Sequence, residues 1–248
     1  MRNLKKVVAL VAVFAMLVSS VAFGQTFSDV ADDANYYEAI EMLNGLNILT
    51  GDDQDGDGVM DFRPEDTITR AEVAAVISRI QGINSAAQTD TVFTDVTASH
   101  WASGYVAQAA GQGIVNGYGD GNFGPEDNVL YEQVVKMLMV TLGYEPFAVD
   151  NGGYPSGYLT AASRYGVTEG LIGANVGVEA TRGQVAQLVY KAVDTALMDR
   201  YTYGSEAEYV IYDGVNRSYM SLLTRDLGVK KGSGIVTANA LSTANAAL

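Results

Sequence analysis

The chain has 248 residues, enough for one large or two small domains with real hydrophobic cores. Its formal charge of −14 argues against nucleic acid or an anionic membrane surface as the main partner, because both are bound through basic patches. The absence of cysteine excludes disulfides and thiolate metal sites, and in an exported protein it suits a bacterial surface.

The first 24 residues have the pattern of a secretory signal peptide. Arg2, Lys5 and Lys6 form a charged start, residues 7–18 form an apolar stretch, and small residues follow. The apolar stretch is short for a transmembrane helix, which is the weaker alternative. We therefore expect residues 1–24 to be removed and the mature protein to be exported with no membrane partner.

The next predicted unit is a helix, an acidic loop that opens at Gly51, and a second helix. Apolar residues at helical spacing predict the first helix, namely Tyr36, Ile40, Leu43 and Leu46. Thr69 and Glu72 form a capping box, which predicts that the second helix begins there and runs to about Ile80. Arg70 lies in the first turn, where a cation opposes the helix dipole, so helix stability does not explain this residue.

The order of helix, glycine-rich loop and helix recurs twice. In the second unit, the first predicted helix begins at Ser99 or His100 and the second spans about residues 130–142. In the third unit, the predicted helices span about residues 155–165 and 181–197. One helical pair cannot bury its apolar face alone, so we expect the three units to pack together.

After residue 198 the pattern changes from helical to strand-like. Alternating apolar residues predict strands and a turn at residues 213–214; these residues are Tyr201, Tyr203, Tyr209, Ile211 and Tyr212. A short helix is expected near residues 221–227 and another strand at residues 234–237. Residues 199–248 are therefore interpreted as the start of a further, β-containing module.

Three motifs recur in order along the chain. Phe-x-Asp-Val stands at 27–30 and 93–96, Phe-x-Pro-Glu-Asp at 62–66 and 123–127, and Thr-Arg at 69–70 and 181–182. These residues resemble the S-layer homology family, whose repeats contain Phe-x-Asp-Val, Trp, Gly-Ile-x-x-Gly, Asp-Gly-x-Phe-x-Pro and Thr-Arg-Ala-Glu. The resemblance covers about residues 27–198.

The resemblance implies a mainly α fold with three helix-loop-helix repeats in a pseudo-threefold bundle and a small β-containing C-terminal segment. The expected repeats are residues 25–84, 85–144 and 145–198. The implied function is non-covalent anchoring of an exported protein to the cell wall or S-layer, by binding a secondary cell-wall polysaccharide, often pyruvylated, in grooves between repeats. Self-association in a surface lattice is a further implied partner interaction.

The resemblance also implies which residues bind the polysaccharide. They are the arginines Arg70 and Arg182 with their neighbours Thr69 and Thr181, the aromatic residues Trp101 and Tyr154, and the glycines Gly51, Gly117 and Gly170. A guanidinium can grip an acidic sugar bidentately, and an aromatic ring can face the sugar. For both aromatic residues the alternative is a packing role. Tyr131 replaces the family's arginine and Asn35 its tryptophan, so the three grooves cannot be equivalent.

The loop after Gly51 is five residues longer than its counterpart after Gly117 and carries alternating aspartates. Asp53, Asp55, Asp57 and Asp61 surround the turn glycine Gly58. Such carboxylates can converge on one calcium ion, although Pro64 stands where an EF-hand loop has its bidentate acid. The alternative is a solvated acidic loop.

Catalytic motifs are missing from the sequence. His100 is the single histidine, and we find no nucleophile elbow, phosphate loop or histidine-rich metal motif. We therefore expect a protein that is not an enzyme and requires no cofactor. The alternatives are a self-assembling S-layer subunit, or the anchor region of an exported enzyme whose catalytic domain lies beyond Leu248.

Overall fold

A computed structural model describes residues 27–54, 56–84, 86–203, 206–215 and 217–229. The predicted signal peptide and the strand predicted at residues 234–237 lie outside these residues. The described helices are α1 (Tyr37–Gly45), α2 (Arg70–Ile80), α3 (Ser103–Gly111), α4 (Tyr131–Thr141), α5 (Glu145–Asp150), α6 (Ser156–Arg164), α7 (Arg182–Asp194) and α8 (Leu222–Arg225). Two strands, β1 (Met198–Tyr203) and β2 (Glu206–Ile211), form an antiparallel hairpin.

Three backbone hydrogen bonds form a closed ring where the repeats meet. The Ile68 N–H donates to the Ala180 carbonyl (3.3 Å), the Val129 N–H to the Ile68 carbonyl (3.0 Å), and the Ala180 N–H to the Val129 carbonyl (2.9 Å). Each of the three residues comes from a different repeat and shortly precedes its second helix, α2, α4 or α7. This ring gives the bundle its pseudo-threefold axis.

The helices pack in the same cyclic order. The second helix of each repeat packs on the first helix of the next, so that α2 contacts α3, α4 contacts α6 and α7 contacts α1. One continuous apolar core runs through all three repeats. The expected mainly α fold, with three helix-loop-helix units and a small β-containing C-terminal segment, is confirmed.

The second helices begin through local side-chain contacts. Thr69 Oγ1 accepts the Glu72 N–H (3.2 Å) and the Glu72 carboxylate accepts the Thr69 N–H (2.8 Å), which is the predicted capping box. Thr181 makes the same pair of bonds with Gln184. Leu130 has no side-chain acceptor, so at the start of α4 only the Leu130 N–H bond to a glutamine side chain is made (3.2 Å).

Two helix limits differ from the predicted ones, and one helix was not predicted. Helix α3 begins at Ser103 rather than at residue 99 or 100, because the preceding residues form tight turns, with the Ser103 N–H donating to the His100 carbonyl (3.0 Å). Helix α7 ends at Asp194, since the backbone of Thr195 is already extended. Helix α5 was not predicted; its signal is Pro146 in the first turn.

The C-terminal hairpin packs directly on the repeats. The Met198 N–H donates to the Leu142 carbonyl (3.0 Å), and the Tyr144 hydroxyl donates to the Ala196 carbonyl (2.7 Å). Leu222 and Leu223 of α8 are buried in the same core as the repeats. Among the described residues, no helix combines the length and the apolar character needed to cross a membrane.

Candidate ligand-binding grooves

The aspartate of each Phe-x-Asp-Val motif holds the loop that leads to the second helix. Asp29 accepts the N–H groups of Phe62 (2.9 Å) and of the following residue (2.5 Å). Asp95 accepts those of Phe123 (2.8 Å) and Gly124 (2.7 Å) in the same way. Burial alone would raise the pKa of Asp95, but these two amide donors outweigh it and hold the pKa below its ordinary value. The motif therefore fixes the backbone of each loop at its Phe-x-Pro segment.

Two of the predicted site glycines are required by close packing. A Cβ at Gly51 would lie 2.4 Å from the ring of Phe27 and 2.3 Å from the Asp61 carbonyl oxygen. A Cβ at Gly117 would lie 2.7 Å from the ring of Phe93. Both glycines thus let the loop pass over the aromatic ring of its own motif, and their main contacts are structural.

Arg182 reaches from the third repeat into the first. Its Nε–H donates to the Phe62 carbonyl (2.8 Å), Nη2–H to the Thr50 carbonyl (2.9 Å), and Nη1–H to the Glu72 carboxylate (3.5 Å). The guanidinium carbon lies 5.0 Å from the centre of the Phe62 ring. Only 5% of Arg182 is exposed, so the residue links two repeats from a buried position.

Arg70 makes the equivalent contacts from the first repeat to the second. Its Nε–H donates to the Phe123 carbonyl (2.9 Å), Nη2–H to the Asn116 carbonyl (2.8 Å), and Nη1–H to the Gln133 amide oxygen (3.5 Å). The guanidinium carbon lies 4.6 Å from the Phe123 ring centre and 4.9 Å from that of Tyr118. Arg70 is 3% exposed.

Both arginines keep donors beyond these contacts. A guanidinium has five N–H groups, and the contacts above use three of them in each arginine. Burial lowers the pKa of Arg70 and of Arg182, although both remain cationic at any physiological pH. Each arginine is therefore a contact between repeats that also places positive charge at the wall of a groove.

Groove I is the cavity of about 190 Å³ beside Arg70. Its walls are the loop of the second repeat, helix α4 and the aromatic side chain of Tyr154, which is 50% exposed. Arg70 and Lys136 are cationic, and no carboxylate belongs to the described lining. Lys136 has no hydrogen bond or ion pair with any described residue, so its ammonium group is available to a ligand.

Groove II is the equivalent cavity of about 230 Å³ beside Arg182. Trp101 takes the place of Tyr154 and is 49% exposed, so it is not a core tryptophan. Its ring is stacked on His100, with centroids 5.9 Å apart. The charged lining residues are Arg79, Arg182, Asp52 and Glu72, so cations and carboxylates balance.

Groove III lies between the first and third repeats and differs from the other two. Asn35 occupies the aromatic position, and Glu169 and Gly170 form the loop. Its charged lining consists of Asp32, Asp33, Glu38, Glu169 and Lys191, four carboxylates against one ammonium group. Tyr131, in place of the arginine, is half-buried, and its N–H donates to the Val178 carbonyl (3.0 Å). A Cβ at Gly170 would meet no atom within 4 Å.

The structure therefore brings the predicted site residues together as two sets. Groove I contains Arg70, Gly117 and Tyr154, and groove II contains Arg182, Gly51 and Trp101. Thr69 and Thr181 cap α2 and α7 and line none of the three grooves. Sequence reasoning missed Lys136, Tyr118 and Arg79. Lys136 lies one helical turn after Gln133, so the two residues share a face of α4, and this spacing was the signal in the sequence.

The acidic loop uses several of its carboxylates locally. Asp53 accepts two N–H groups of the loop (2.8 and 3.1 Å), Asp57 accepts another (2.7 Å), and Asp61 accepts the Ser28 hydroxyl (3.0 Å). Asp55 lies outside the described residues. Within the described part of the chain, no three carboxylate or histidine groups are arranged to hold a metal ion. The calcium site stays a prediction.

Comparison with known proteins adds an independent observation. The model of the S-layer homology domain matches residues 26–74 and 92–135. These segments carry the Phe-x-Asp-Val motifs, both glycines of grooves I and II, and the starts of helices α2 and α4. The third repeat is recognised instead by its geometry, because Arg182 and its capping box repeat the contacts of Arg70.

Three relatives are informative. The chain is 32% identical over 214 residues to a cell surface protein of Thermoanaerobacter kivui (83% of this chain, 26% of the relative). It is 31% identical over 236 residues to a surface layer protein of Brevibacillus choshinensis (90% and 20%). It is 37% identical over 71 residues to a cellulosome-anchoring protein of Acetivibrio thermocellus (27% and 16%).

The chain thus spans about a quarter or less of the length of these relatives. The family match and the relatives' names indicate a location at the cell surface or cell wall. The motifs, the cyclic arrangement of the repeats and the two matched segments agree, and the chain belongs to the S-layer homology domain family.

Proposed function

We propose that this chain anchors an exported protein to the cell wall, without catalysis, by binding a secondary cell-wall polysaccharide. The observation that carries the proposal is the repeated pairing of an exposed aromatic ring with a cationic side chain: Tyr154 with Arg70 and Lys136 in groove I, and Trp101 with Arg182 in groove II. An aromatic face packs against the C–H groups of a sugar ring, and the cations select an acidic sugar such as a pyruvylated one.

The grooves differ in how well they suit an acidic polymer. Groove I has two cations and no carboxylate in its described lining, groove II is balanced, and groove III carries an excess of carboxylates. Like charges in a partly desolvated groove repel strongly. Groove I is therefore the main site for the acidic sugar, groove II an accessory site, and groove III is closed to this ligand by charge.

Lys136 is the residue that gives groove I its preference for a negatively charged ligand. The Arg70 guanidinium is held by carbonyl groups of the second repeat, whereas Lys136 is half-buried and has no charged partner among the described residues. The equivalent positions are Ala75 in groove II and Gln187 in groove III. Among the described lining residues, only groove I thus combines a hydrogen-bonded arginine with a cation that makes no hydrogen bond or ion pair, since Arg79 of groove II is bonded to the Ile48 carbonyl and Lys191 of groove III is paired with Glu169.

The names of two relatives support the anchoring role, since one is a surface layer protein and one a cellulosome-anchoring protein. A second candidate function, assembly in a surface lattice, is favoured by one observation: the match to the surface layer protein covers 90% of this chain and so extends beyond the three repeats into the C-terminal segment. Both roles require attachment to the wall.

A sedimentation experiment tests the anchoring proposal. The protein without residues 1–24 is mixed with purified Gram-positive walls before and after extraction of their secondary polymer. We expect it to sediment with intact walls and to stay in solution with extracted walls. Equal binding to stripped peptidoglycan would exclude the polysaccharide as the ligand.

A further inference from the structure

A larger cavity, of about 660 Å³, adjoins groove III, with which it shares Glu169, Tyr190 and Lys191, and is separate from grooves I and II. Helix α7 and the end of α6 form one side, and the segment after β2 forms the other. We call it the hairpin cavity and define it by Tyr144, Tyr165, Tyr190, Lys191, Asp213 and Tyr219. Its volume is in the range typical of small-molecule sites and would hold one or two sugar rings.

Four tyrosine side chains belong to the lining of the hairpin cavity. Tyr144 is fully buried, and its ring packs against Tyr165 with centroids 4.5 Å apart, so the two form a fixed wall. The Tyr144 hydroxyl donates to the Ala196 carbonyl, which fixes this ring further (2.7 Å). Tyr219 is tied to Asp194 by a hydrogen bond from its hydroxyl to the Asp194 carbonyl. The cavity is therefore preformed.

Two tyrosine hydroxyls of the cavity have no hydrogen-bond partner in the described part of the chain. Within the described residues, the hydroxyls of Tyr165 and Tyr190 make no hydrogen bond, although both side chains are half-buried. Each hydroxyl can donate one hydrogen bond and accept others. Unused hydrogen-bonding groups beside fixed aromatic surface suit a ligand with both apolar faces and many hydroxyl groups, which is the chemistry of a pyranose ring.

The charges around the cavity select against acidic sugars. Glu169, Asp194 and Asp213 line it together with one cation, Lys191, which lies 3.9 Å from the Glu169 carboxylate. Carboxylates accept hydrogen bonds from sugar hydroxyls but repel an anionic sugar. The preference is therefore opposite to that of groove I.

We propose that the hairpin cavity is a second glycan site, which takes a non-acidic sugar ring. The site depends on the tyrosines and on the C-terminal segment, and it does not depend on the function proposed for the grooves. The chain would then bind two kinds of sugar at separate places, one acidic and one not.

The test is a titration of the protein lacking residues 1–24 with glucose, N-acetylglucosamine and glucuronate, followed by amide chemical shifts. From the shifts of amides that line the hairpin cavity, we expect the two neutral sugars to bind there with Kd on the order of millimolar, and glucuronate to bind there at least about threefold more weakly. Tyr165→Phe combined with Tyr190→Phe keeps the rings and should weaken neutral-sugar binding about three- to tenfold. Tyr105→Phe, which removes a hydroxyl that does not line the cavity, is the matched control.

The results separate this site from the grooves. Trp101→Ala and Lys136→Gln should leave neutral-sugar binding unchanged, and the double tyrosine variant should still sediment with intact walls. No binding of either neutral sugar, or equal binding by the double variant, would overturn the site. Glucuronate binding at the hairpin cavity as tight as that of glucose would overturn the proposed ligand class, whereas glucuronate shifts confined to groove I would not.

Discussion

Arg182 and Thr50 are 132 positions apart in the chain, yet the guanidinium of one donates to the carbonyl of the other across 2.9 Å. This contact joins the third repeat to the first and so closes the bundle. It also means that the arginine of the Thr-Arg motif acts on a neighbouring repeat, and that its loss affects the fold before it affects a ligand.

Arg182→Ala should destabilise the protein by about 2–4 kcal/mol. The substitution leaves the Phe62 carbonyl, which is buried, and the Thr50 carbonyl, which is partly buried, without their donor, and an unsatisfied buried group costs about 1–3 kcal/mol. Urea unfolding measures the effect. Arg200→Ala, on an exposed strand residue, is the control and should change the free energy of unfolding by less than about 0.5 kcal/mol. Equal stability of both variants would contradict the role given to Arg182.

Trp101→Ala should weaken binding to extracted wall polymer with little change in stability. The side chain is 49% exposed and precedes α3, so few buried contacts are lost. Loss of one stacking face should reduce affinity about threefold or more. The comparison is with Trp101→Phe, which keeps an aromatic face and should bind nearly as well as the parent. A large drop in melting temperature would instead indicate a packing role.

Lys136→Gln should reduce affinity for the polymer about tenfold or more, because a charge-assisted contact contributes about 1.5–3 kcal/mol. The dependence of binding on salt should become weaker at the same time, since one ionic contact is gone. Gln187→Ala changes the equivalent position of groove III and is the matched control, with no expected effect. If both variants bind alike, groove I is not the main site.

Tyr158→Phe should make the protein less sensitive to alkali. Burial, followed by the Glu145 carboxylate that accepts the Tyr158 hydroxyl (3.1 Å), raises the pKa of Tyr158 to about 12. A raised pKa contributes stability that is fully present below the unfolded value of about 10 and is lost as pH rises from 10 to 12. The parent should therefore lose stability over that window more steeply than the variant. Parallel pH profiles would refute the assignment.

Calcium should raise the melting temperature if the acidic loop binds it. An ion at about 1 mM over a Kd of about 10⁻⁴ M adds about 1.4 kcal/mol to the free energy of unfolding. Magnesium at the same concentration is the control and should have little effect, because it demands strict octahedral geometry. Asp55→Asn with Asp57→Asn should abolish the rise. An unchanged melting curve would leave the loop as solvated surface.

The sequence was sufficient to predict contacts that are local or that recur in several repeats. The capping box of Thr69 and Glu72 is formed within one helical turn, so propensity rules predict it. The recurrence of the motifs then predicted the number of units and their shared fold. The start of α3 was misplaced because His100 closes a turn through its own side chain, whose Nδ1 accepts the Ala102 N–H (3.1 Å).

The candidate ligand-binding grooves could be predicted only in part from the sequence. Alignment assigned Arg70 and Trp101 to ligand binding, and both line inter-repeat grooves, but alignment could not show how much of Arg70 is used inside the protein. That depends on the Asn116 carbonyl, 46 positions away. Lys136 was missed because its lack of a charged partner is a property of packing, which periodicity cannot reveal.

The hydrogen-bonded ring formed by Ile68, Val129 and Ala180 restricts the number of repeats in the module. Each residue donates one hydrogen bond and accepts one, so the ring is complete with three members. In an open solenoid a repeat can be added or deleted at an end, and the remainder stays folded. Here a deletion would leave an unpaired donor and an unpaired acceptor where the second helices meet. Such a module is expected to melt as one cooperative unit and to be inherited as a whole triplet.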